Sequence, residues 1–588
     1  MEVRNLVEGF TKFIELYARF KSMLSEKKTV RDLMEILAQA GVKHVVISPG
    51  SRNAPLTFSF EGDGRFRCHS IVDERSAGYF ALGIAQQTRN PVAVVCTSGT
   101  AAFNYGPAVA EAYYQRIPLV VLTADRPEEW VNQGDGQTIM QEGIFGGHVR
   151  FNATLRWNPG DKQITWHNRR LISEALDQCK GVVDGPVHLN IPLRDNLYAE
   201  FSGEEAPSDA RWIRRARTSA RMEKGELQEI IGALNNCKRI LVIAGLCESN
   251  SDLQSQLERF GRQPSVTVLT ETTSNLHSPD FIGCIDRLIM GFDETDVEHF
   301  KPDLLITLGN QIISKKIKAL LRSYDGLQHW HVDKDQGFMD TYQHQTVAIR
   351  TEPASFFKQV NAQFDGEISD YHQRWIFRNN ELRELHLEFD NEVPFSDLRV
   401  VSRVLRRIPP GSNVQMGNSS IVRYIQLFDP SPEFNYFGNR GTSGIDGCTS
   451  TASGAALAGQ TPTILLTGDV AFFYDANALW NKQIPRWLKI VVVNNGGGGI
   501  FRIIDGPAST PVLEKHFETT HHLRARHLAE MHGLDYVYAD NAADLDRGLE
   551  HLYRSDRCCI LEVATPRLEN DGVLKNYFKN LKDKTQRT

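Results

Sequence analysis

Cysteine, excess positive charge and long apolar runs are all scarce in this 588-residue chain, and each shortage removes a class of protein. The nine cysteines are an odd number with no CxxC pair, so neither a disulfide framework nor a cysteine-ligated zinc site is expected. A reducing cytoplasm suits such a chain, and the adjacent Cys558 and Cys559 read as ordinary strand residues. The formal net charge of -6 lacks the basic footprint of a nucleic-acid binder. The longest apolar runs, such as "PLVVL" and "IVVV", fall far short of the roughly 20 residues a membrane-spanning helix needs. What remains is 41% apolar and 23% charged, the balance of a soluble globular protein, and its length calls for about three or four domains.

The opening "MEVRNLVEGFTKFIELYARFKSML" sets Leu6, Phe10, Phe13, Tyr17 and Phe20 near helical spacing among scattered charges. That pattern predicts an amphipathic helix over residues 1–25, with no signal-peptide core. Beyond it, short apolar runs ("HVVIS", "VAVVC", "LVVLTA", "VHLNIP") alternate with helix-length segments, as βαβ units around a parallel sheet do. A charge-dense stretch, "AEFSGEEAPSDARWIRRARTSARMEKGE", reads as a linker, and the alternation resumes with "RILVIAG", "SVTVLTE", "DLLITLGN" and "HWHVD". A second charged region, "YHQRWIFRNNELRELHLEFDNE", breaks the pattern again before a last α/β block. The expected organisation is three doubly wound α/β domains, over 26–205, 206–390 and 391–588. The first and last share one plan of strand, small-residue turn, alanine-bearing helix, proline-containing connection and apolar strand.

In the last block, "GDVAFFYDANALWNKQIPRWLKIVVVNN" puts 24 residues between Asp469 and Asn494. Asp469 and the Asn494-Asn495 pair then fall at the carboxyl ends of adjacent strands, where open α/β sheets bind ligands. A carboxylate and an amide oxygen there suit a hard cation such as Mg²⁺, whose other positions go to water and phosphate oxygens. A diphosphate ligand follows. The glycines at 496–499 let the backbone approach it closely.

This spacing resembles the fingerprint of the thiamine-diphosphate-dependent enzymes. The resemblance implies a pyrimidine domain, a cofactor-free central domain and a diphosphate domain, in that order. It implies thiamine diphosphate with Mg²⁺ or Mn²⁺, held by Asp469, Asn495 and Gly497, and a glutamate on the cofactor's pyrimidine. Glu74 in "VDERSAGYFALG" matches that glutamate; its bland alternative is a charge favoured by a helix N-terminus. A carboxylate on the pyrimidine nitrogen stabilises the tautomer that deprotonates the thiazolium. The family also implies a homodimer or homotetramer with active sites between subunits.

Longer motifs narrow the resemblance to the menaquinone-biosynthesis branch, the transferases that decarboxylate 2-oxoglutarate and add the succinyl fragment to isochorismate. They are "SPGSRNAPLT", "TSGTAAFNYGPAVAEA", "LTADRPEE", "MGNSSIVRYIQ", "NRGTSGIDGCTSTASG" and "VVVNNGGGGIF". Both substrates carry two carboxylates, and the planar fork of arginine suits them. The resemblance assigns Ser419, Arg423 and Arg440 to the keto acid. It assigns Ser51, Arg52, Arg126, Gln137, Lys315 and Lys316 to isochorismate. Ile445 would prop the cofactor in its bent form, with Ile500 and Phe501 as an apolar wall beside the thiazolium. The match departs from relatives at Lys315-Lys316, where some have lysine then arginine, at Gly136 before Gln137, and at Val470-Ala471 after Asp469. Another carboligase of the superfamily, such as an acetohydroxyacid synthase, is the alternative, but it gives no reason for arginines at 423 and 440. Asp446 and Asp475 read as turn or capping residues. His44, His69, His148 and His188 read as structural, because no histidine stands in the matched motifs.

Overall fold

The computed structural model describes residues 24–585 apart from 158–159, 201–207, 217, 219, 249, 336–337 and 505. Most of the helix expected over residues 1–25 therefore lies outside the described residues. The chain divides into two compact units. One holds the residues up to Ala216 together with Thr449–Gln460 and Asp475–Pro485, and the other holds Arg217–Cys448, Thr461–Tyr474 and Arg486 onward.

The first unit is built on a six-stranded parallel sheet of β1 (His44–Ile47), β2 (Arg67–Ser70), β3 (Val92–Cys96), β4 (Leu119–Asp125), β5 (Phe151–Thr154) and β6 (Val187–Pro192), in the order β2-β1-β3-β4-β6-β5. Successive side chains of a strand point to opposite faces, so runs apolar at every position build two cores. Val45, Ile47, Ala93 and Val95 enter one core, and Val46, Val92, Val94 and Cys96 the other. Each valine or isoleucine among them, fully buried, contributes roughly 1.5–3 kcal/mol.

The second unit carries two more parallel sheets. The first contains β7 (Ile240–Ala244), β8 (Val266–Thr270), β9 (Phe281–Ile282), β10 (Leu304–Leu308), β11 (Gln328–Val332) and β12 (Gln345–Ile349), in the order β12-β11-β10-β7-β8-β9. The second contains β13 (Asn413–Met416), β14 (Asn435–Gly438), β15 (Thr463–Gly468), β16 (Leu488–Asn494), β17 (Asp535–Ala539) and β18 (Cys559–Ala564), in the order β14-β13-β15-β16-β18-β17. Counted from their own first strands, the first and third sheets have the same order and the middle one does not. The likeness read between the first and last sequence blocks thus extends to their topology.

Two features differ from the sequence reading. The second charged region is a 22-residue helix, Tyr371–Glu392. Its charges cover an inward stripe of Tyr371, Trp375, Arg378, Leu382, His386 and Asp390, spaced three or four residues apart. The edge strands β2, β5 and β12 are half-exposed, and their sequences carry at most the three-residue apolar run "VAI" of β12. Among the described residues no helix is long and apolar enough to cross a membrane.

Candidate active site

The predicted residues divide between the two units, and in each they gather at the carboxyl edge of a sheet. In the first unit, Ser51 and Arg52 follow β1, Glu74 follows β2, and Arg126 and Gln137 follow β4. Asp73, not Glu74, caps the helix Glu74–Thr88, since its side chain accepts from the backbone N–H of Arg75 and Ser76. Capping does not occupy Glu74, and half-burial raises its carboxyl pKa, with further upward push from the neighbouring Asp73. Arg52 is buried and donates to the Leu193 carbonyl at 2.8 Å and to Asp195 at 3.3 Å. Arg126 pairs with Asp135 at 3.3 Å and donates to the Gly136 carbonyl at 3.1 Å. Gly136 thus acts through its backbone: it ties Arg126 to the turn where Gln137 adopts φ 57°. Gln137 also packs on Gly99, whose own φ of +90° only glycine adopts without strain.

In the second unit, Ser419 follows β13, Arg440 follows β14, Asp469 ends β15 and Asn495 ends β16. Asp469 accepts from the Gly496 and Gly497 N–H groups at 2.8 and 3.0 Å, and these fold the glycine loop over its carboxylate. A Cβ at Gly497 would lie 2.8 Å from the Glu518 carbonyl, so the loop fits only without one. The two asparagines differ. The Asn494 oxygen accepts from the Gly496 N–H at 3.1 Å. The buried Asn495 Oδ1 has no hydrogen-bond partner. A buried amide oxygen without a donor is costly, and a hard cation is the partner that would satisfy it. Among the described residues no three His, Cys, Asp or Glu side chains converge. A cation here would therefore draw on amide and backbone oxygens beside Asp469, which the set of Asp469, Asn495 and Gly497 supplies.

These residues line a cavity of about 140 Å³, with Ser419, Ile445 and Phe501 on other walls. A second cavity of about 420 Å³, largely apolar, is also bounded by Ile445, with Phe473, Tyr474 and Leu523. Ile445 is therefore a wall shared by the two cavities. Ile500 is buried beside Phe501.

Arginines fix the rim. Arg423 donates to the Ser419 carbonyl, and Arg440 donates to Asn418 Oδ1 at 2.8 Å. Ser419 adopts φ 73°, a strained conformation for a non-glycine residue, and makes no side-chain cap to its own helix. Lys315 and Lys316 open the helix Lys315–Arg322. Behind them lie carboxylates that no motif announced. Glu271, pushed up to about 7 by burial, accepts from the Ile313 and Ser314 N–H groups at 2.6 and 2.8 Å. Asp286 accepts from the Ser314 hydroxyl, and both Lys316 and Arg423 act on its charge. The structure thus brings Lys316 and Arg423 to one carboxylate.

Two more residues lay outside any motif. His521 Nε2 is 3.3 Å from Asp469 Oδ2, and its ring sits edge-on to Phe473. Asp397, buried and pushed up to about 6, accepts from Asn495 Nδ2 at 2.9 Å and from the Thr565 hydroxyl at 2.6 Å. Asp475 makes no side-chain cap to the short helix it precedes; it accepts instead from the Ser450 N–H and hydroxyl at 2.7 and 2.8 Å, in the first turn of the helix Cys448–Gly459. His188 and His69 are held down to about 3 and about 4 by burial, as structural histidines are.

Comparison with known proteins places the chain in a family. Residues 27–144 match the family profile "Thiamine pyrophosphate enzyme, N-terminal TPP binding domain", 206–412 match "Middle domain of thiamine pyrophosphate", and 415–563 match "Thiamine pyrophosphate enzyme, C-terminal TPP binding domain". The chain is similar to the 2-succinyl-5-enolpyruvyl-6-hydroxy-3-cyclohexene-1-carboxylate synthase of Flavobacterium johnsoniae, with 44% identity over 94% of this chain and 98% of that protein. The Flavobacterium psychrophilum and Christiangramia forsetii proteins of the same name are 42% and 40% identical, over 94% and 95% of this chain and 98% and 99% of their own.

Proposed function

Because this chain belongs to the 2-succinyl-5-enolpyruvyl-6-hydroxy-3-cyclohexene-1-carboxylate synthase family of thiamine-diphosphate-dependent enzymes, we propose that it decarboxylates 2-oxoglutarate and adds the succinyl fragment to isochorismate in menaquinone biosynthesis. The observation that carries this reading is the second unit's cavity, where an unpartnered Asn495 oxygen lies beside a rim anchored by Arg423 and Arg440.

Thiamine diphosphate, when bound, supplies the carbon nucleophile and the electron sink that decarboxylation of a 2-oxo acid requires. Asp469, Asn495 and the Gly497 carbonyl would hold its phosphates through Mg²⁺ or Mn²⁺. Glu74 would share a proton with the pyrimidine nitrogen, a task suited to a carboxyl whose pKa burial has raised. Ser419, Arg423 and Arg440 grip the keto acid at both carboxylates. Ser51, Arg52, Arg126 and Gln137 orient the acceptor ring, with Lys315 and Lys316 as point charges. Holding both reactants in one geometry can lower the barrier by about 7–11 kcal/mol. The reading extends to a homodimer or homotetramer in the cytoplasm, with active sites between subunits.

The test incubates purified protein with thiamine diphosphate, Mg²⁺, 2-oxoglutarate and isochorismate, and follows loss of the acceptor. Turnover with pyruvate but not 2-oxoglutarate would replace this reading with an acetohydroxyacid synthase type of carboligase.

A further inference from the structure

Asn494 and Asn495 each give their amide nitrogen to a buried carboxylate, and the two carboxylates come from distant parts of the chain. Glu562 Oε1 takes the Asn494 Nδ2 hydrogen at 2.6 Å, and Asp397 Oδ2 takes that of Asn495 at 2.9 Å. The outcome differs because the Asn494 oxygen is already satisfied by the Gly496 N–H, whereas Asn495 Oδ1 is not. A carboxamide can turn end for end about its last bond at little steric cost. An ionised carboxylate only accepts, so it selects the nitrogen end and leaves the oxygen facing the other way. Gly499 makes room for this arrangement, since a Cβ there would lie 2.9 Å from Asn495 Nδ2. Asp397 is itself fixed, by the Thr565 hydroxyl at 2.6 Å and by an N–H bond from its own backbone to Asn570 Oδ1 at 2.8 Å.

We infer that Asp397 is a positioning residue of the cation site: it holds the Asn495 carboxamide by its nitrogen so that the oxygen stays turned into the cavity. The inference rests on the proposal that Asn495 is a metal ligand. It makes Asp397 an outer partner of the kind whose loss costs roughly 10–100-fold in metal affinity.

The test is a Mg²⁺ titration of thiamine diphosphate binding, read by calorimetry on wild type, Asp397→Leu, Asp397→Asn and the double variant Asp397→Leu/Asn495→Asp. Asp397→Leu removes the acceptor while keeping the branched outline of the side chain, and Mg²⁺ affinity falls about 10–100-fold. Asp397→Asn keeps an acceptor for Asn495 and turns its own amide nitrogen to Thr565, so affinity stays within a few-fold of wild type. In the double variant either end of residue 495 is an oxygen, orientation no longer matters, and affinity recovers at least several-fold over Asp397→Leu. If Asp397→Leu does not fold, Asp397→Ala takes its place, because a water filling the gap faces either end of the amide and selects neither. Wild-type affinity in the folded Leu or Ala variant overturns the inference, as does a folded double variant no better than the single one. Failure of wild type itself to bind cofactor with Mg²⁺ overturns the site's reading instead.

Discussion

Gly454 sits so close to the Phe80 carbonyl that a Cβ at Gly454 would lie 1.9 Å from that oxygen. Gly83 has the reciprocal contact, with its Cβ position 2.0 Å from the Thr451 carbonyl. The helices Glu74–Thr88 and Cys448–Gly459 therefore meet backbone to backbone in the first unit, and the helix that begins at Glu74 rests on that contact. Alanine in a helix gains about 1 kcal/mol over glycine, while overpacking a tight contact costs about 1–3 kcal/mol or more. Gly454→Ala is predicted to lower stability by a net 2 kcal/mol or so, measured as a shifted urea midpoint. Gly232→Ala, in a helix where nothing lies within 4 Å, is the control and is predicted to be neutral or stabilising.

Glu74→Gln keeps the side chain's shape and removes its acid. Carboligation is predicted to fall by about two to four orders of magnitude, the range that a general acid–base contributes. Cofactor binding, measured by calorimetry in Mg²⁺, is predicted to weaken less than tenfold, because the metal and phosphate contacts lie at the edge of another sheet.

Arg440 is buried and engages Asn418 through one arm of its fork. Arg440→Lys keeps the charge but cannot bridge Asn418 and a carboxylate together. The expected outcome is a KM for 2-oxoglutarate raised about 10–100-fold, equivalent to one charged hydrogen bond of about 1.5–3 kcal/mol, with the KM for isochorismate little changed. Equal rises in both KM values would count against the assignment of Arg440 to the keto acid.

Asp475 makes stability depend on pH. Burial pushes its carboxyl up to about 7 from the ordinary 3.8. Between those values the native state keeps a proton that the unfolded chain has lost, so the contribution is complete below the unfolded value and disappears as pH rises through the window. Asp475→Asn cannot titrate, yet it can accept from the Ser450 N–H and donate to the Ser450 hydroxyl. From pH 5 to pH 8 the variant is predicted to lose roughly 3 kcal/mol less than wild type at the denaturation midpoint. Identical slopes would show that this carboxyl titrates normally.

The parts legible in sequence were those whose chemistry is local. Central strands such as β3 and β16 are apolar at nearly every position because both faces are covered, and the glycine-rich loop after Asn495 announces itself within a few residues. β2 and β17 escaped notice because one side of an edge strand meets water, so neither "RCHS" nor "DYVYA" forms an unbroken aliphatic run. Asp397 and Glu271 were invisible for a different reason. Their partners lie 98 and 42 residues away, and before folding each is one acid among 72 Asp and Glu. His521 was missed because it joins Asp469 through a loop outside the matched stretches.

The recurrence of one strand order in the first and third sheets gives the two sheets corresponding corners. After the second strand of one sheet stands the carboxylate Glu74; after the second strand of the other stands the guanidinium of Arg440. The same layout thus presents a carboxylate at one corner and a guanidinium at the corresponding one, so its strand order alone sets no sign of charge there.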